Sequence, residues 1–317
     1  MTGSSLSITS ALGRVSPQRL RRGLFHLCRD PLPFRKANYT RPGQSMCSLA
    51  EGDAFIREQL RAAGWEVRES LHPVQAYRCD ATKPLHHWYS TPDPADPFYE
   101  VVNLEAVRLG RERPDEIIQL ISHKDSMSWI DSPGAHDNAV GVSANLEIAC
   151  CLADYAPVRT LRILFCNEEH TPWTSQFAAQ AAAARGDHIV AVLNQDSLAG
   201  KSDADREAGR FTHCVTYSTA EGRTLAEFLA GCSRRHTPSL ATQCVHKPNI
   251  NDDEGKFIEA GFRTAVMNVG SFPYADAEYH LPGDVPERVD IDNLALSTQL
   301  VLAAVLELDG QERVCAS

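Results

Sequence analysis

The feature that most constrains the fold is the alternation of short apolar runs with helical stretches from Tyr99 onward. Short apolar runs rich in β-branched residues predict strands at 101–107, 117–121, 160–166, 189–193, 214–217 and 265–269. Helical periodicity predicts helices over 138–153, 174–184, 224–233, 254–259 and 291–308. Because strands that alternate with helices form sheets covered on both faces, we expect an α/β three-layer sandwich with a mixed, mostly parallel central sheet.

The first hundred residues give fewer signals. Ser16 and Pro17 are typical of a helix cap followed by proline at the first helical position. Residues 48–63 have apolar side chains at helical spacing and end at Gly64, which predicts an amphipathic helix. Residues 1–29 lack acidic side chains, as transit peptides do, and residues 70–98 indicate only an irregular excursion or a short hairpin.

The charge balance limits the class of partner. The 317 residues include 41 acidic and 31 basic side chains, a formal net charge of -10. That excess argues against a nucleic acid or an anionic membrane surface as the main partner. A peptide or another small molecule is the better expectation for a ligand.

The cysteine pattern and the length of the apolar segments indicate the cellular compartment. The ten cysteines are scattered and form no CxxC pair, which favours reduced, mostly buried thiols over a disulfide framework. The first thirty residues contain no apolar run long enough for a signal sequence, and no segment approaches a membrane span. We therefore expect a cytoplasmic protein.

Acidic residues and one histidine follow three of the predicted strands directly. His123 and Asp125 come after the run that ends at 121, Glu168 and Glu169 after the run that ends at 166, and Asp196 after the run that ends at 193. Ligands of open α/β sheets bind at the carboxyl ends of the strands. These side chains are therefore expected to share one edge of the sheet.

Two further segments add a carboxylate and an imidazole. Asp137 stands at the start of the helix predicted from 138, and His280 precedes a turn and the last helix. Each residue alone has a plainer explanation, such as a helix cap or a solvated loop. Five carboxylates at one edge, however, repel one another unless a cation lies among them. Imidazole and carboxylate are the ligands of hydrolytic divalent cations, so the pattern predicts a metal site.

These segments resemble the M28 family of zinc aminopeptidases, and they occur in the order that the family shows. The resemblance extends from about residue 53 to residue 308. We therefore expect 46–317 to be a single catalytic domain and 1–45 to be an N-terminal extension with a short helix. The resembling segments are His123-Lys124-Asp125-Ser126, residues 133–141, Asn167-Glu168-Glu169, Leu193-Asn194-Gln195-Asp196 and residues 280–284.

The resemblance implies a fold and a set of roles. Family members share a sheet of about eight strands. By the resemblance, two Zn²⁺ ions would share Asp137. His123 and Asp196 would complete one site, and Glu169 and His280 the other. Glu168 would act as the general base, and Asp125 would orient the imidazole of His123.

The chain departs from the family pattern where the substrate pocket is expected. Residues 170–175 replace a Gly-rich stretch, so Trp173 is a candidate pocket wall, with core packing as the equal alternative. Asp252 and Asp253 precede a predicted helix, where they would touch substrate or cap the helix. The other candidate walls, for which ordinary packing is again the alternative, are Phe272, Tyr274 and Tyr279.

Several functions remain open for this pattern. The leading prediction is a metal-dependent hydrolase that removes N-terminal residues from peptides or aminoacyl amides. A metal-dependent deacylase or a glutaminyl cyclase needs a similar site with a different pocket. A catalytically silent interaction protein on the same fold is a further alternative, although such proteins usually lose ligands or the base. The oligomeric state stays open.

Overall fold

A computed structural model of the protein describes residues 7–312. Eleven strands lie in this part of the chain: β1 (Glu66–Ala76), β2 (Arg78–Cys79), β3 (Tyr89–Ser90), β4 (Phe98–Arg108), β5 (Arg113–His123), β6 (Arg159–Cys166), β7 (His170–Thr171), β8 (His188–Gln195), β9 (Thr212–Tyr217), β10 (Ala241–His246) and β11 (Ala265–Val269). Nine of them form one sheet in the order β10-β9-β11-β8-β5-β6-β4-β1-β7, and β2 pairs with β3 alone.

The direction of the strands changes across the sheet. The four central strands, β11, β8, β5 and β6, are parallel. Antiparallel pairs join β9 to β11, β4 to β6, β1 to β4 and β7 to β1. The predicted mixed α/β sheet is confirmed, with nine strands instead of about eight. Parallel pairing is restricted to the centre and to the pair of β9 and β10.

All six predicted strands are present, and two longer strands were not predicted. β1 lies near one end of the sheet, contains Pro73 and buries only Val74. β10 is the strand at the other end and has no buried residue. Because outer strands bury little apolar surface, neither has the apolar run by which central strands are recognised.

The helices cover both faces of the sheet. They are α1 (Ile8–Leu12), α2 (Pro17–Cys28), α3 (Ser48–Ala62), α4 (Val140–Cys151), α5 (Ser175–Arg185), α6 (Asp203–Glu207), α7 (Ala220–His236), α8 (Asp253–Glu259) and α9 (Ile291–Gly310). The larger core lies between one face and α1, α2, α3, α4, α7 and α9. A smaller core packs α5 and α8 on the other face. Successive residues of β5 alternate between the two: Ile118 and Leu120 face the first core, and Ile117 and Ile121 face the second.

The N-terminal segment has two helices where one was expected. Ser16 caps α2 by accepting a hydrogen bond from the backbone N–H of Arg19, and Pro17 is the first helical residue, as predicted. Leu20, Leu24 and Leu27 of this helix are buried in the larger core. The boundary at residue 45 remains a prediction, but α2 shares its core with the rest of the chain.

The last helix corrects one expectation about membranes. Of the residues that the structure describes, Ile291–Gly310 forms the one helix long and apolar enough to span a bilayer. Within its most apolar window, 72% of the residues are buried against the protein. The expectation that no segment approaches a membrane span is therefore wrong, because this helix has the length and composition of one. Its packing in the larger core explains its apolar character.

The cysteines agree in part with the prediction. All nine cysteines within residues 7–312 are free thiols. Five are buried, whereas Cys79 and Cys150 are exposed and Cys47 and Cys244 are half-buried. The absence of a disulfide framework in these residues is as expected, but burial applies to only slightly more than half of them.

Candidate metal centre

The candidate ligands come from separate segments that meet at one edge of the sheet. His123 is the last residue of β5, and Asp196 follows directly after β8. The register of these neighbouring strands pairs Ile121 with Asn194, so both strands present their candidate ligand two residues later. β6 pairs its last residue with His123 and leads into Glu169. The carboxyl ends of three parallel strands therefore supply three of the five side chains.

All five side chains form two groups that share Asp137. His123 Nε2 lies 2.9 Å from Oδ1 of Asp137 and 3.7 Å from Oδ1 of Asp196. His280 Nε2 lies 3.0 Å from Oδ2 of Asp137 and 3.4 Å from Oε1 of Glu169. Within each group the candidate ligand atoms lie within 4.8 Å of one another. We call His123 with Asp196 the sheet-borne group and Glu169 with His280 the loop-borne group, and Asp137 offers one oxygen to each.

The charges in these groups suit a divalent cation. All five side chains are buried. Burial raises the pKa of Glu169 to about 7, although the neighbouring His280 lowers it. Burial alone would lower the pKa of His280, but Glu169 and Asp137 raise it to about 10. The two acidic groups therefore favour the charged form of the imidazole. A divalent ion can replace its proton, since neutral imidazole and carboxylate form a typical donor set for zinc.

Glu168 lies beside both groups and belongs to neither. Its side chain lines the cavity in front of the two groups, and its Oε2 atom is buried and has no hydrogen-bond partner among the described residues. Burial, and after it the charges of Asp253 and Asp252, raises the pKa of the Glu168 carboxyl well above its usual value. A carboxyl with a raised pKa near candidate metal ligands is suited to take up and release a proton.

Asp125 connects the two halves of the centre. Its Oδ1 accepts a hydrogen bond from the backbone N–H of Glu168 at 2.9 Å, and its Oδ2 accepts one from the N–H of Glu169 at 2.9 Å. Oδ1 also lies 3.4 Å from Nδ1 of His123, without the geometry of a hydrogen bond. The sequence predicted contact with the histidine. The support that Asp125 gives to the backbone of the two glutamates was not predicted.

The turn that carries Asp137 is held from both sides. Asp284 accepts hydrogen bonds from the backbone N–H groups of His136 at 2.8 Å and Asp137 at 3.1 Å. Asn138 donates from Nδ2 to the carbonyl of Gln195 at 2.8 Å, next to Asp196. The turn needs glycine at 134, because φ is +59° and a Cβ atom would lie 2.3 Å from the carbonyl oxygen of Asp137.

His280 is held by a segment that precedes it by almost two hundred residues. Residues 77–90, which we call the strap, pass over the centre and include β2 and β3. His280 Nδ1 lies 2.7 Å from the backbone carbonyl of His86, so this nitrogen donates and Nε2 is directed at Asp137 and Glu169. His86 Nδ1 in turn lies 2.5 Å from the carbonyl of Tyr279. Such outer contacts fix the ring orientation of a metal-binding histidine.

A cavity of about 360 Å³ opens in front of the two groups. Trp173, Tyr274 and Tyr279 line it, as predicted for a pocket wall. The other lining residues are Tyr77, His86, His87, Tyr89, Asp137, Glu168, Glu169, Asp196, Asn251, Asp252, Pro273 and His280.

Two predicted pocket residues lie elsewhere. Asp253 is fully buried at the start of α8, where its Oδ2 accepts from Cys166 Sγ at 3.1 Å, so Asp252 lines the cavity in its place. Asp252 occupies the helix-cap position, but it makes no capping bond and pairs with Lys247 at 2.5 Å. Phe272 packs beside the buried Met267 and Val269 cluster, and Pro273 faces the cavity.

Sequence reasoning missed the strap and His170. Tyr77, His86, His87 and Tyr89 lie in a region that indicated no regular structure, and the density of aromatic and histidine residues there was the one available signal. His170 directly follows Glu169, and its Nδ1 lies 2.7 Å from Oδ2 of Asp125. The sequence shows that His170 lies in the segment that departs from the family pattern, but it does not show the contact between His170 and Asp125.

A family model and curated relatives match the greater part of this chain. A family model described as Peptidase family M28 matches residues 103–305. A probable aminopeptidase of Saccharomyces cerevisiae is 27% identical over 211 residues, which cover 63% of this chain and 55% of that protein. A probable zinc metalloprotease of Pyricularia oryzae is 24% identical over 252 residues, covering 66% and 50%. The chain spans about half the length of these curated relatives.

Solved structures share the fold over almost the whole chain. The aminopeptidase from Aneurinibacillus sp. strain AM-1 has a TM-score of 0.72 at 12% identity and covers 98% of both chains. A glutaminyl cyclase of Bacteroides thetaiotaomicron has a TM-score of 0.66 at 14% identity, covering 96% of this chain and 98% of the other. At such identities the likeness shows the fold alone. The family model, in contrast, matches more than half of the sequence, and the chain belongs to peptidase family M28.

Proposed function

We propose that this protein is a zinc-dependent aminopeptidase that removes N-terminal residues from peptides. The observation that carries the proposal is the pair of three-residue groups that share Asp137 beside Glu168, whose Oε2 has no hydrogen-bond partner within residues 7–312. Membership of peptidase family M28 supports hydrolysis of a peptide bond. The names of the curated relatives, a probable aminopeptidase and a probable zinc metalloprotease, support the finer assignment.

The sheet-borne and loop-borne groups would each hold one ion, with Asp137 shared between them. Bound there, two divalent ions would polarise the scissile carbonyl and make water a stronger nucleophile at neutral pH. The protein's own part is to hold five ligands in a buried edge of the sheet and to fix the orientation of the His280 imidazole through the carbonyl of His86.

Glu168 is the proposed proton carrier. Its carboxylate takes a proton from the attacking water and delivers it to the amine that leaves. The position of its backbone is set by the hydrogen bond to Asp125, so the carboxylate is held at the wall of the cavity. Because Glu168 belongs to neither group of candidate ligands, it stays free for this transfer.

The cavity suits a substrate with a free amino group. Five carboxylates line it, and no Lys or Arg side chain does so among the residues described. Aromatic side chains from the strap and from residues 273–279 form the remaining walls. Asp137, Glu169 and Asp196 would be bound to the two ions. Glu168 and Asp252 would then be the carboxylates left to attract a positively charged N-terminus, and the aromatic walls would pack on the side chain that is removed.

The experiment compares free and blocked substrates on the wild type and on Glu168→Gln. Aminoacyl-4-nitroanilides should be cleaved in the presence of zinc and not after EDTA treatment, and N-acetylated analogues should be poor substrates. Glu168→Gln should bind as much zinc as the wild type and lose about 10²–10⁴-fold in kcat, because the amide cannot carry the proton. Release of 4-nitroaniline from blocked substrates as fast as from free amines would reject the aminopeptidase in favour of a less selective amide hydrolase, and release of acetate with the anilide bond intact would indicate a deacylase.

A glutaminyl cyclase is the second candidate, because the fold likeness includes a cyclase. A peptide with N-terminal glutamine separates the two functions. Release of free glutamine indicates an aminopeptidase, whereas release of ammonia with a cyclised peptide of the same number of residues indicates a cyclase. A Glu168→Gln variant with unchanged activity on every substrate would contradict both.

A further inference from the structure

A short segment ahead of the family-matching region contacts both halves of the candidate metal centre. Arg35 and Ala37 lie between α2 and α3, well before residue 103 where the family match begins. We propose that Arg35 and Ala37, together called the clamp, are positioning residues that hold the metal ligands in register. The inference rests on the proposed metal centre and extends it to a part of the chain that the sequence indicated to be an extension.

The first arm of the clamp is the guanidinium of Arg35, which is fully buried. Nε donates to the carbonyl of Lys124 at 2.7 Å, the residue after His123. Nη1 donates to the carbonyl of Pro133 at 2.8 Å, and Nη2 to that of Gly134 at 2.9 Å. Arg35 therefore ties the exit of β5 to the turn that leads to Asp137.

This arginine is bound by backbone carbonyls in place of a carboxylate. Among the described residues it has no ion pair within 4.0 Å, and a further carbonyl, that of Leu27 in α2, accepts from Nη1 at 2.6 Å. A buried charge needs good hydrogen bonds to offset its desolvation, and the planar guanidinium offers five donors in a rigid geometry. Its contacts consequently fix the relative positions of three backbone segments.

The second arm runs from Ala37 through His170. The backbone N–H of Ala37 donates to Nε2 of His170 at 3.2 Å. Because a backbone N–H can only donate, Nε2 must be the acceptor, and the proton of the neutral ring is on Nδ1. Nδ1 then donates to Oδ2 of Asp125 at 2.7 Å. Asp125 accepts from the backbone N–H groups of Glu168 and Glu169.

The two arms reach different halves of the centre from residues only two positions apart. Arg35 reaches the backbone beside His123 and ahead of Asp137, and Ala37 reaches the loop of Glu168 and Glu169. Ser126 locks the segment between them: its N–H donates to the carbonyl of Arg35 at 2.9 Å, and its Oγ accepts from the N–H of Arg35 at 3.0 Å.

The clamp acts through other residues. Arg35, Ala37 and His170 do not line the cavity, so they do not touch a substrate there. Residues that orient metal ligands typically contribute about 10–100-fold to metal affinity. Loss of an arm should therefore weaken zinc binding at both groups and lower kcat more than it raises KM.

Variants of His170 separate the two contacts of its ring. The amide nitrogen of Asn lies as many bonds from Cα as Nδ1 does, so His170→Asn can still donate to Asp125. The amide of Gln corresponds to Nε2, so His170→Gln keeps the contact to Ala37 and loses the donor to Asp125. Arg35→Met removes the first arm. Leu229→Ala is the control, since Leu229 is fully buried in α7, which packs on α9, β9, β10 and β11. The cavity that it leaves should lower the midpoint of thermal unfolding.

Zinc affinity is measured on each variant of the whole 317-residue chain by competition with a chromophoric chelator, alongside thermal unfolding in EDTA and kcat and KM on a peptide substrate. His170→Gln and Arg35→Met should bind zinc about 10–100-fold more weakly, His170→Asn within about 3-fold of the wild type, and Leu229→Ala like the wild type.

Wild-type zinc affinity in His170→Gln would overturn the clamp, even if Arg35→Met failed to fold. An equal loss of affinity in Leu229→Ala would also overturn it, because zinc binding would then follow overall stability. A wild-type protein that binds no zinc would overturn the metal centre and the clamp together. A wild-type protein that binds zinc and cleaves no peptide would overturn the proposed activity alone, because the zinc affinities of the variants decide on the clamp without any measurement of hydrolysis.

Discussion

The two halves of the candidate metal centre are built differently. In the sheet-borne group, His123 and Asp196 stand at the ends of neighbouring parallel strands, where the sheet itself sets their separation. In the loop-borne group, His280 lies in a loop at a positive φ of 59°, and its Nδ1 is held by the carbonyl of His86 in the strap. Glu169 is held through Asp125.

The two halves therefore depend to different degrees on distant parts of the chain. The sheet-borne ligands are positioned by backbone hydrogen bonds between strands, which form as the core forms. The loop-borne ligands need contacts with the strap and with Asp125 before their geometry is complete. We expect the sheet-borne group to bind metal more tightly and to be less sensitive to changes in loops.

The largest effect is expected where the two halves meet. Asp137→Asn leaves one carbonyl oxygen where two carboxylate oxygens served both groups. We expect loss of metal from both groups and a fall in peptide hydrolysis of about 10³-fold or more. Metal content by mass spectrometry and initial rates check this. Asp154→Asn, which changes an exposed aspartate, is the control, and an Asp137→Asn protein that keeps two ions would show that the two groups do not depend on a shared ligand.

The next largest effect is expected from removing one histidine from each group, which compares the zinc affinities of the two halves. His123→Ala and His280→Ala should each reduce the bound zinc from two ions to one and lower kcat by about 10²-fold, because one source of carbonyl polarisation is lost. The ion left in His280→Ala, in the sheet-borne group, should be the tighter one when the two variants are titrated with zinc. Equal affinities for the remaining ion would show that the strands give no advantage over the loops.

A smaller effect on zinc affinity is expected from substitutions in the strap. His86 has a φ of 72°, which proline cannot adopt and glycine adopts freely. His86→Pro should displace the carbonyl that holds His280 and weaken zinc at the loop-borne group about 10-fold. His86→Gly loses the same imidazole but keeps the carbonyl, so its zinc affinity should stay within about 3-fold of the wild type. Equal zinc binding by the two variants, measured by chelator competition, would show that the strap carbonyl does not support His280.

The smallest effect on metal binding is expected from His213, a buried histidine that has no carboxylate partner in the part of the chain that the structure describes. It contacts Ser297 and Asn268, and burial lowers its pKa to about 4. An unfolded histidine has a pKa of about 6.5, so the unfolded chain binds the additional proton as the pH falls. The free energy of unfolding therefore has its full value above about pH 6.5. It decreases toward pH 4, by about 3 kcal/mol at most for this one group.

Urea unfolding in EDTA at pH 7 and pH 5 measures this dependence, with the wild type as the reference. His213→Gln should flatten the fall in stability between the two pH values and leave zinc affinity unchanged. An identical pH dependence in both proteins would mean that His213 is not held neutral in the folded state.

The sequence predicted more of the sheet-borne group than of its surroundings. The strands that end at His123, Cys166 and Gln195 carry strong apolar runs, and residues directly after such runs must lie at the sheet edge. The pocket wall was harder to predict, because neighbouring residues of a loop face opposite ways. Asp253 and Phe272 point into the protein, and the adjacent Asp252 and Pro273 face the cavity.

Local sequence was sufficient to predict the fold class, the family and the five side chains that meet at the sheet edge, because apolar periodicity and the order of short motifs are properties of local sequence. Only the tertiary structure decided that α2 joins the main core, that the strap carbonyl of His86 holds His280, and that Arg35 and Ala37 reach both halves of the centre. The contacts of His86, Arg35 and Ala37 each use a backbone group, which every residue carries, and all of these contacts join positions far apart in the chain. Residue types alone therefore contain no signal for them.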